Sequence, residues 1–369
     1  MFSDKNILVL PGDGIGPECV NEAIKILEWL NSKLKIQFNI IEDLVGGASY
    51  DLHNEPLTKK TLDNAKKSDA ILFGSVGGPK WNDVERSKRP ENGLLILRKE
   101  LDLFANLRPA NIFPALIQSS PLKPEFITGL DILIIRELTS GVYFGTPKKI
   151  ETLEDGSKVA IDTQRYTSNE IERVAKVAFE LSQKRNNRVC STEKANVMET
   201  GVLWRETVAN VHKKLFKNID LTHMYADACS MELIRNPKQF DVIVTDNLFG
   251  DMLSDQASML TGSIGMLPSA SLGEKLNSGV QYALYEPIHG SAPDIAGQGV
   301  ANPIAQILSL AMMLKYSFNL SKEQQMIETA VSNTLTNGFR TKDIMHEGCH
   351  EVSTSKMTVE ILNELNKLI

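Results

Sequence analysis

Cysteine is scarce in this 369-residue chain: Cys19, Cys190, Cys229 and Cys349 stand apart, without metal-type spacing, each within what reads as a regular element. That excludes a disulfide scaffold and a cysteine-bound zinc, and it predicts reduced thiols in a cytoplasmic protein. Positive charge is not in surplus either. Lys and Arg total 40 against 46 Asp and Glu, the formal net charge is −6, and no Lys/Arg block stands out. The electrostatic footprint of a nucleic-acid or anionic-lipid partner is therefore missing, so no nucleic acid and no membrane are expected as partners. An anionic small molecule must be held by a local basic cluster. No apolar run approaches membrane-spanning length, and the opening residues 1–5 lack the charged and apolar regions of a secretory signal. Repeats, low-complexity tracts and Pro/Ser-rich linkers are also wanting, so two domains would have to be joined within packed structure. What is present is 42% hydrophobic and 23% charged residues, ordinary for about two globular domains.

Residues 6–10 read as a short apolar strand, 11–17 as a turn and 18–34 as a helix by the spacing of apolar residues. Further strands are expected at 36–42, 70–74, 132–137, 188–191 and 241–245, interleaved with helices at 93–103, 168–184, 201–216 and 248–260. This alternation predicts an α/β fold with a substantially parallel sheet. Residues 143–166 break the rhythm with two extended pieces around Glu154-Asp155-Gly156, the signature of a hairpin arm. After Gly299 the pattern is helical, at 302–318, 322–335 and 356–368.

Asp251 and Asp255 lie four residues apart, just past an apolar strand and the turn pair Asp246-Asn247. At helical spacing they project from one face, where two like charges repel unless a cation lies between them; a solvated acidic face is the plainer alternative. Oxygen-only ligands without nearby His or Cys favour Mg²⁺ or Mn²⁺, and Asp227, after another strand, is a candidate third ligand. Arg98, Arg108 and Arg136 form a candidate carboxylate clamp, since guanidinium forks bind carboxylates bidentately, although ordinary salt bridging explains any one of them equally well. Lys194, just past a strand, and Tyr143 are candidates for base and acid. Gly12-Asp13-Gly14-Ile15-Gly16 suggests a dinucleotide loop, but Pro17 stands where the Rossmann fingerprint requires its third glycine. A tight turn opening a helix, or a looser cofactor contact, remains. The stretch 285–297, followed by Ala301-Asn302-Pro303, is a long loop rich in Gly, Pro and small residues, of the kind that is usually functional. Its Asp294 suits a ribose diol and repels a 2′-phosphate.

In this order, these pieces resemble the isocitrate/isopropylmalate family of β-decarboxylating dehydrogenases, and within it the isopropylmalate branch. The likeness spans essentially the whole chain and is most specific at residues 89–95, 104–109, 247–255 and 289–297. The resemblance implies two domains around one continuous mixed sheet, unlike a Rossmann domain. Residues 1–103 and 262–369 would form the first, with the cofactor loops; residues 104–261 would form the second, with the dimer interface, the metal site and the arm at about 143–166. It places Arg98, Arg108 and Arg136 on the substrate carboxylates, and Leu94 and Leu95 on its branched alkyl group. Asp227, Asp251 and Asp255 hold the Mg²⁺ or Mn²⁺, with Asp227 also near the substrate. Lys194 deprotonates the hydroxyl and Tyr143 protonates the enol. NAD lies on Ile15, Glu91, Asn196 and Glu286, on the loop His289, Gly290, Ser291, Ala292, Pro293, Asp294 and Ile295, and on Asn302. Lys194 and Asp227 reach the site from the partner of a homodimer. The implied activity is NAD-dependent oxidative decarboxylation of 3-isopropylmalate to 2-oxo-4-methylpentanoate in leucine biosynthesis. Alternatives are the same chemistry on D-malate, tartrate or homoisocitrate, or a non-catalytic regulatory subunit. The chain departs from the family pattern at Thr192-Glu193, where Val-Asp is usual, and at Ser140, where a second glycine is common.

Overall fold

The computed structural model describes residues 5–34, 36–276 and 280–369; the first four residues, part of the opening stretch read above for a targeting signal, lie outside them. Among the described residues, no helix is long and apolar enough to cross a membrane. The chain opens with β1 (Lys5–Gly12), α1 (Gly16–Leu34), β2 (Phe38–Glu42), α2 (Gly46–His53), α3 (Lys59–Lys67), β3 (Ala70–Ser75) and α4 (Pro90–Glu100). It continues through β4 (Ala105–Asn111), α5 (Pro124–Ile127), β5 (Asp131–Glu137), β6 (Lys149–Thr152), β7 (Lys158–Ile161), α6 (Ser168–Ser182), β8 (Arg188–Glu193) and α7 (Glu199–Leu215). β9 (Asp220–Tyr225), α8 (Ala226–Arg235), β10 (Val242–Thr245), α9 (Asn247–Leu260), β11 (Pro268–Lys275) and β12 (Gln281–Pro287) follow. The last elements are α10 (Ile304–Tyr316), α11 (Ser321–Thr336), β13 (Phe339–Arg340), β14 (His350–Glu351) and α12 (Thr354–Asn366). The fold is α/β with a ten-stranded mixed sheet, and the chain divides into two compact units.

The first unit comprises the chain up to Leu103, Asn111–Gly129 and Ser258–Ile369. Its strands run in the order β2-β1-β3-β12-β11, parallel except for β11, which is antiparallel to β12. Leu8, Leu10, Ile71, Phe73 and Leu284 from the strands pack with Leu97 and Leu101 near α4 in one core. α10 is buried at every residue from Ile304 to Leu314; it is apolar there except for Gln306 and Ser309, which bond to Phe73 O and Ala305 O.

Phe104–Ala110 and Leu130–Ala257 make the second unit, with strand order β4-β5-β10-β8-β9. The unbroken apolar run Ile132–Ile135 is buried, as expected for a parallel strand covered on both faces. Parallel register sets Thr245 level with both Arg136 and Thr192, so the segments leaving β5, β8 and β10 emerge at one end of the sheet. That carboxyl end is where α/β sheets place their chemistry. β6 and β7 pair antiparallel as a hairpin whose turn has Gly156 at φ 83°.

The helix expected at 93–103 begins earlier, because Pro90 occupies its first turn, where a missing N–H costs nothing. Cys349 does not lie in a regular element: Gly348, at φ 84°, turns the chain beside it, and its thiol faces the His346 ring at 3.4 Å. Cys19, Cys190 and Cys229 lie in α1, β8 and α8, all buried.

Candidate active site

In the second unit, α9 starts directly after β10 and turns Asp251 and Asp255 to one face, where the arginines of β4 and β5 meet them. Arg108 donates through Nη1 to Asp251 Oδ1 at 3.0 Å and to Ser254 Oγ at 2.7 Å, and lies 3.5 Å from Asp255 Oδ1. Its Nε donates to Asn106 Oδ1 at 2.7 Å. Arg136, only 2% exposed, donates from Nη1 to Asp251 Oδ1 at 2.5 Å, and from Nε and Nη2 to Asn247 Oδ1 at 3.0 and 2.8 Å. Gly250 makes this approach possible, since a Cβ there would stand 2.6 Å from Arg136 Cγ. Tyr143 OH donates to Asp251 Oδ2 at 3.0 Å, and its ring centroid lies 5.4 Å from Arg136 Cζ. Of the expected residues, Arg108, Arg136, Tyr143, Asp251 and Asp255 are thus brought together.

The electrostatics follow from this packing. Burial pushes the Asp251 carboxyl up, but the charges of Arg136 and Arg108 and the Tyr143 bond outweigh it and hold Asp251 below the usual carboxylate range. Asp255 moves the other way: burial raises it, and the Asp251 charge adds to that against Arg108. Burial also raises the Tyr143 phenol, reinforced by the Asp251 charge, which keeps its proton on oxygen.

Lys194 and Asp227 form a separate pair, with Nζ 2.7 Å from Oδ1. Lys194 caps the carboxyl end of β8 and Asp227 lies in the first turn of α8. No group of three His, Cys, Asp or Glu residues able to hold a metal occurs among the described residues, so Asp227 does not join Asp251 and Asp255 within one chain. At the departure from the family pattern, the Glu193 carboxylate accepts from Arg205 Nε at 2.8 Å and from the Ala195 N–H at 2.6 Å. Asn196 is exposed in the turn that follows.

In the first unit, Glu91, Leu94, Leu95 and Arg98 recur at helical spacing on α4, placing an apolar pair between an acid and a base. Leu94 packs on the core and Leu95 is half-buried. Arg98 Nη2 donates to Glu286 Oε1 at 2.8 Å, both side chains largely buried, and Arg98 Nε has no partner. The glycine turn after β1 packs on the 289–297 loop: the Ile15 N–H donates to Ser291 O at 2.8 Å, and Ile15 forms an apolar cluster with Ala292 and Ile295. Gly14, at φ 62°, permits this approach, because a Cβ there would lie 1.9 Å from Ser291 O. His289 is buried with Nδ1 2.9 Å from Gly290 O and Nε2 unpartnered; burial lowers its pKa. Pro293 and Asp294 are exposed, and Asn302 is held by Asp343 through an Nδ2 bond of 3.0 Å.

These donor sets fit the groups the chemistry requires. Asp251 and Asp255 offer only carboxylate oxygen, and a hard divalent cation would offset both the burial that raises Asp255 and the added repulsion from Asp251. The orphaned His289 Nε2 and the open backbone at Gly290, Gly297 and Gly299 suit a polar cofactor edge. Three residues the sequence reading did not single out for the site belong to it structurally: Asn247 as acceptor for Arg136, Asn106 as acceptor for Arg108, and Ser254 as a further contact of Arg108. The only sequence signal for them is a polar residue inside or beside a buried apolar run.

A mixed α/β sheet that sets an arginine pair against an acid pair is an arrangement suited to an enzyme acting on a small acid. The chain belongs to the isocitrate/isopropylmalate dehydrogenase family, whose model matches residues 6–361. It is 58% identical over 361 residues to a 3-isopropylmalate dehydrogenase of Pelagibacter ubique, covering 98% of both chains. To the enzyme of that name from Rhizobium meliloti it is 59% identical over 365 residues, covering 99% of both. Among solved structures it resembles an isocitrate dehydrogenase from Methylococcus capsulatus, with a TM-score of 0.84, 30% identity and coverage of 98% and 99%. A β-decarboxylating dehydrogenase from Thermococcus kodakarensis matches with a TM-score of 0.78, 33% identity and coverage of 99% and 97%.

Proposed function

We propose that the chain is a 3-isopropylmalate dehydrogenase, oxidising and decarboxylating 3-isopropylmalate to 2-oxo-4-methylpentanoate in leucine biosynthesis, with NAD as oxidant and Mg²⁺ or Mn²⁺ as cofactor. The observation that carries the reading is the cluster of Arg108, Arg136, Tyr143, Asp251 and Asp255, in which carboxylate-binding, acid and metal-binding groups share one face. Full-length identity to enzymes of that name supplies the substrate. Arg108 and Arg136 hold substrate carboxylate by transferring N–H donors from Asp251 to it, with Arg98 as a third guanidinium. Leu94 and Leu95 take the isopropyl group; a polar third arm would be left unpaired against them. Asp251, Asp255 and Asp227 would hold the cation, which would supply Lewis-acid polarisation of the hydroxy acid's C2 oxygen, and NAD would serve as the hydride acceptor. Lys194 takes the hydroxyl proton. After the carboxylate on C3 leaves as CO₂, Tyr143 delivers a proton to C3. Ile15, Glu91, Asn196, Glu286 and the loop from His289 to Ile295 with Asn302 hold the dinucleotide.

The cytoplasm is the proposed compartment, and a homodimer the proposed assembly, with Lys194 and Asp227 serving the partner's site. Exposed Met231 and Ile234 on α8, Met252 on α9 and Ile150 on the hairpin support an apolar interface on the second unit. Steady-state turnover on 3-isopropylmalate, D-malate, tartrate and homoisocitrate tests the substrate. A higher kcat/KM for any of the others overturns the choice, and inactivity of the pure protein on all four would favour a regulatory subunit. Mixing inactive Lys194→Met and Asp251→Asn chains tests the shared site. Random reassociation restores one intact site in each heterodimer, about a quarter of wild-type activity, and no recovery after full exchange refutes it.

A further inference from the structure

We infer that Tyr166 is a positioning residue for the acid Tyr143: its single buried hydroxyl clamps the loop that carries Tyr143 to the start of the helix that carries Asp251 and Asp255. The inference rests on the function proposed above. Tyr166 is 7% exposed and accepts the Asn247 N–H, the first of α9, at 2.9 Å. Burial, with the charges of Glu137 and Asp246 nearby, pushes the Tyr166 phenol well up, so the oxygen stays protonated while it accepts from Asn247. Glu137 in turn shapes the loop, accepting the Thr139 N–H at 3.1 Å, the Thr139 hydroxyl at 2.9 Å and the Ser140 N–H at 2.9 Å. The ring lies so close to Gly141, at φ 73°, that a Cβ there would come within 2.5 Å of the Tyr166 oxygen. The Gly141 N–H also donates to Arg165 O at 3.2 Å, and Asn247 Nδ2 donates to Ser140 O at 2.9 Å. Every covalent route from Gly141 to Tyr143 is one short turn. The position of the phenol against Asp251 is therefore set by contacts that converge on Tyr166 and its neighbours. The rest of the ring packs edge-on against Trp204, with centroids 5.6 Å apart, a contact phenylalanine retains.

Tyr166→Phe removes the oxygen and leaves the ring. A displaced acid slows protonation of C3, while Arg136 keeps its side-chain bonds to Asn247 and Asp251, so kcat should fall on the order of tenfold while KM for the hydroxy acid stays within about twofold. Turnover in D₂O should label C3 of the product with lower stereospecificity. In the ligand-free protein, amide exchange across residues 139–145 should accelerate while α7 keeps its protection. Tyr143→Phe is the control for the underlying reading: if it retains wild-type kcat, the acid assignment fails. If Tyr143→Phe is impaired but Tyr166→Phe keeps kcat, labelling and exchange unchanged, the positioning role is refuted. Refutation also follows if Tyr166→Phe raises KM in step with the fall in kcat and loosens the whole unit, which a merely structural residue would do. Should that variant not fold, Glu137→Gln, which puts an amide where the loop needs acceptors, carries the same expectations and the same refutations.

Discussion

Replacing Asn247 by alanine tests how the arginine clamp is held. The Asn247 side chain gives one oxygen to two donors of Arg136, at 3.0 and 2.8 Å, and one N–H to Ser140 O at 2.9 Å. Arg136 is 2% exposed, so water does not readily replace the lost acceptor. A hydrogen bond to a buried charged group contributes about 1.5–3 kcal/mol and a neutral one about 1 kcal/mol, which gives about 3 kcal/mol in all. In a unit of this size that corresponds to a fall in Tm of roughly 6–12 °C, read by scanning calorimetry at fixed protein concentration. A double-mutant cycle apportions the loss. In an Arg136→Met background only the Ser140 bond remains to be lost, so Asn247→Ala should then cost about 1 kcal/mol, a coupling of about 2 kcal/mol. In the single variant KM for the hydroxy acid should rise more than kcat falls, because a loosened guanidinium weakens ground-state and transition-state binding alike. Additivity of the two substitutions within about 0.5 kcal/mol would show that Asn247 does not hold Arg136.

The pH dependence of stability should bear the mark of Glu137. Burial pushes its carboxyl up to about 7 against the bonds from Thr139 and Ser140 and the charge of Arg173, so between its ordinary 4.5 and that value the folded chain binds more proton than the unfolded one. Stability from this group is present at the low end of the window and is lost as pH rises through it; Glu137→Gln should flatten part of the slope of Tm against pH, and an unchanged slope refutes the assignment. Asp246, raised to about 6 by burial, contributes with the same sign and remains in the variant. Asp294 should govern cofactor choice, but its exposure screens the repulsion of a 2′-phosphate, so the wild-type preference for NAD attributable to this residue is on the order of tenfold. Asp294→Lys with Ile295→Tyr should shift the ratio of kcat/KM toward NADP; an unchanged ratio would show that Asp294 does not read the ribose.

How much of this was readable in advance depended on distance along the chain. Asp251 and Asp255 announce themselves because their relation is local, four residues on one helix. Arg108 and Arg136 stand out because a guanidinium at the end of an apolar strand needs a partner. The partner itself is not legible: Arg136 and Asn247 are 111 residues apart, Asn247 and Tyr166 81, Arg98 and Glu286 188. Glu137 reads as an ordinary acid beside an arginine until the structure shows it buried and turned into the loop. Glu193 is the converse case. In sequence it adjoins Lys194 and invites a direct pairing, yet its carboxylate is taken by Arg205, 12 residues on, while Lys194 pairs with Asp227. Cys349 was misplaced because a pattern of short polar and apolar residues does not reveal that Gly348 takes a left-handed turn.

Asp251 occupies a position of competition, and from it the order of ligand binding can be argued. One of its oxygens accepts from both Arg108 and Arg136, and the other accepts from Tyr143. In this arrangement the carboxylate neutralises the clamp, so a cation approaching Asp251 and Asp255 meets two guanidinium charges nearby. A substrate carboxylate that takes over those N–H donors frees Asp251 oxygen and cancels positive charge at once. Under the proposed function, 3-isopropylmalate should therefore tighten Mn²⁺ binding, and by linkage Mn²⁺ should tighten the substrate by the same factor, on the order of tenfold or more. Arg108→Met removes part of the competition, so it should bind Mn²⁺ more tightly than wild type without substrate and gain less when substrate is added. Equilibrium dialysis of Mn²⁺ against the wild-type and Arg108→Met proteins, with and without 3-isopropylmalate, reads both effects. Equal Mn²⁺ affinity in all four measurements would mean that Asp251 is not shared between clamp and metal.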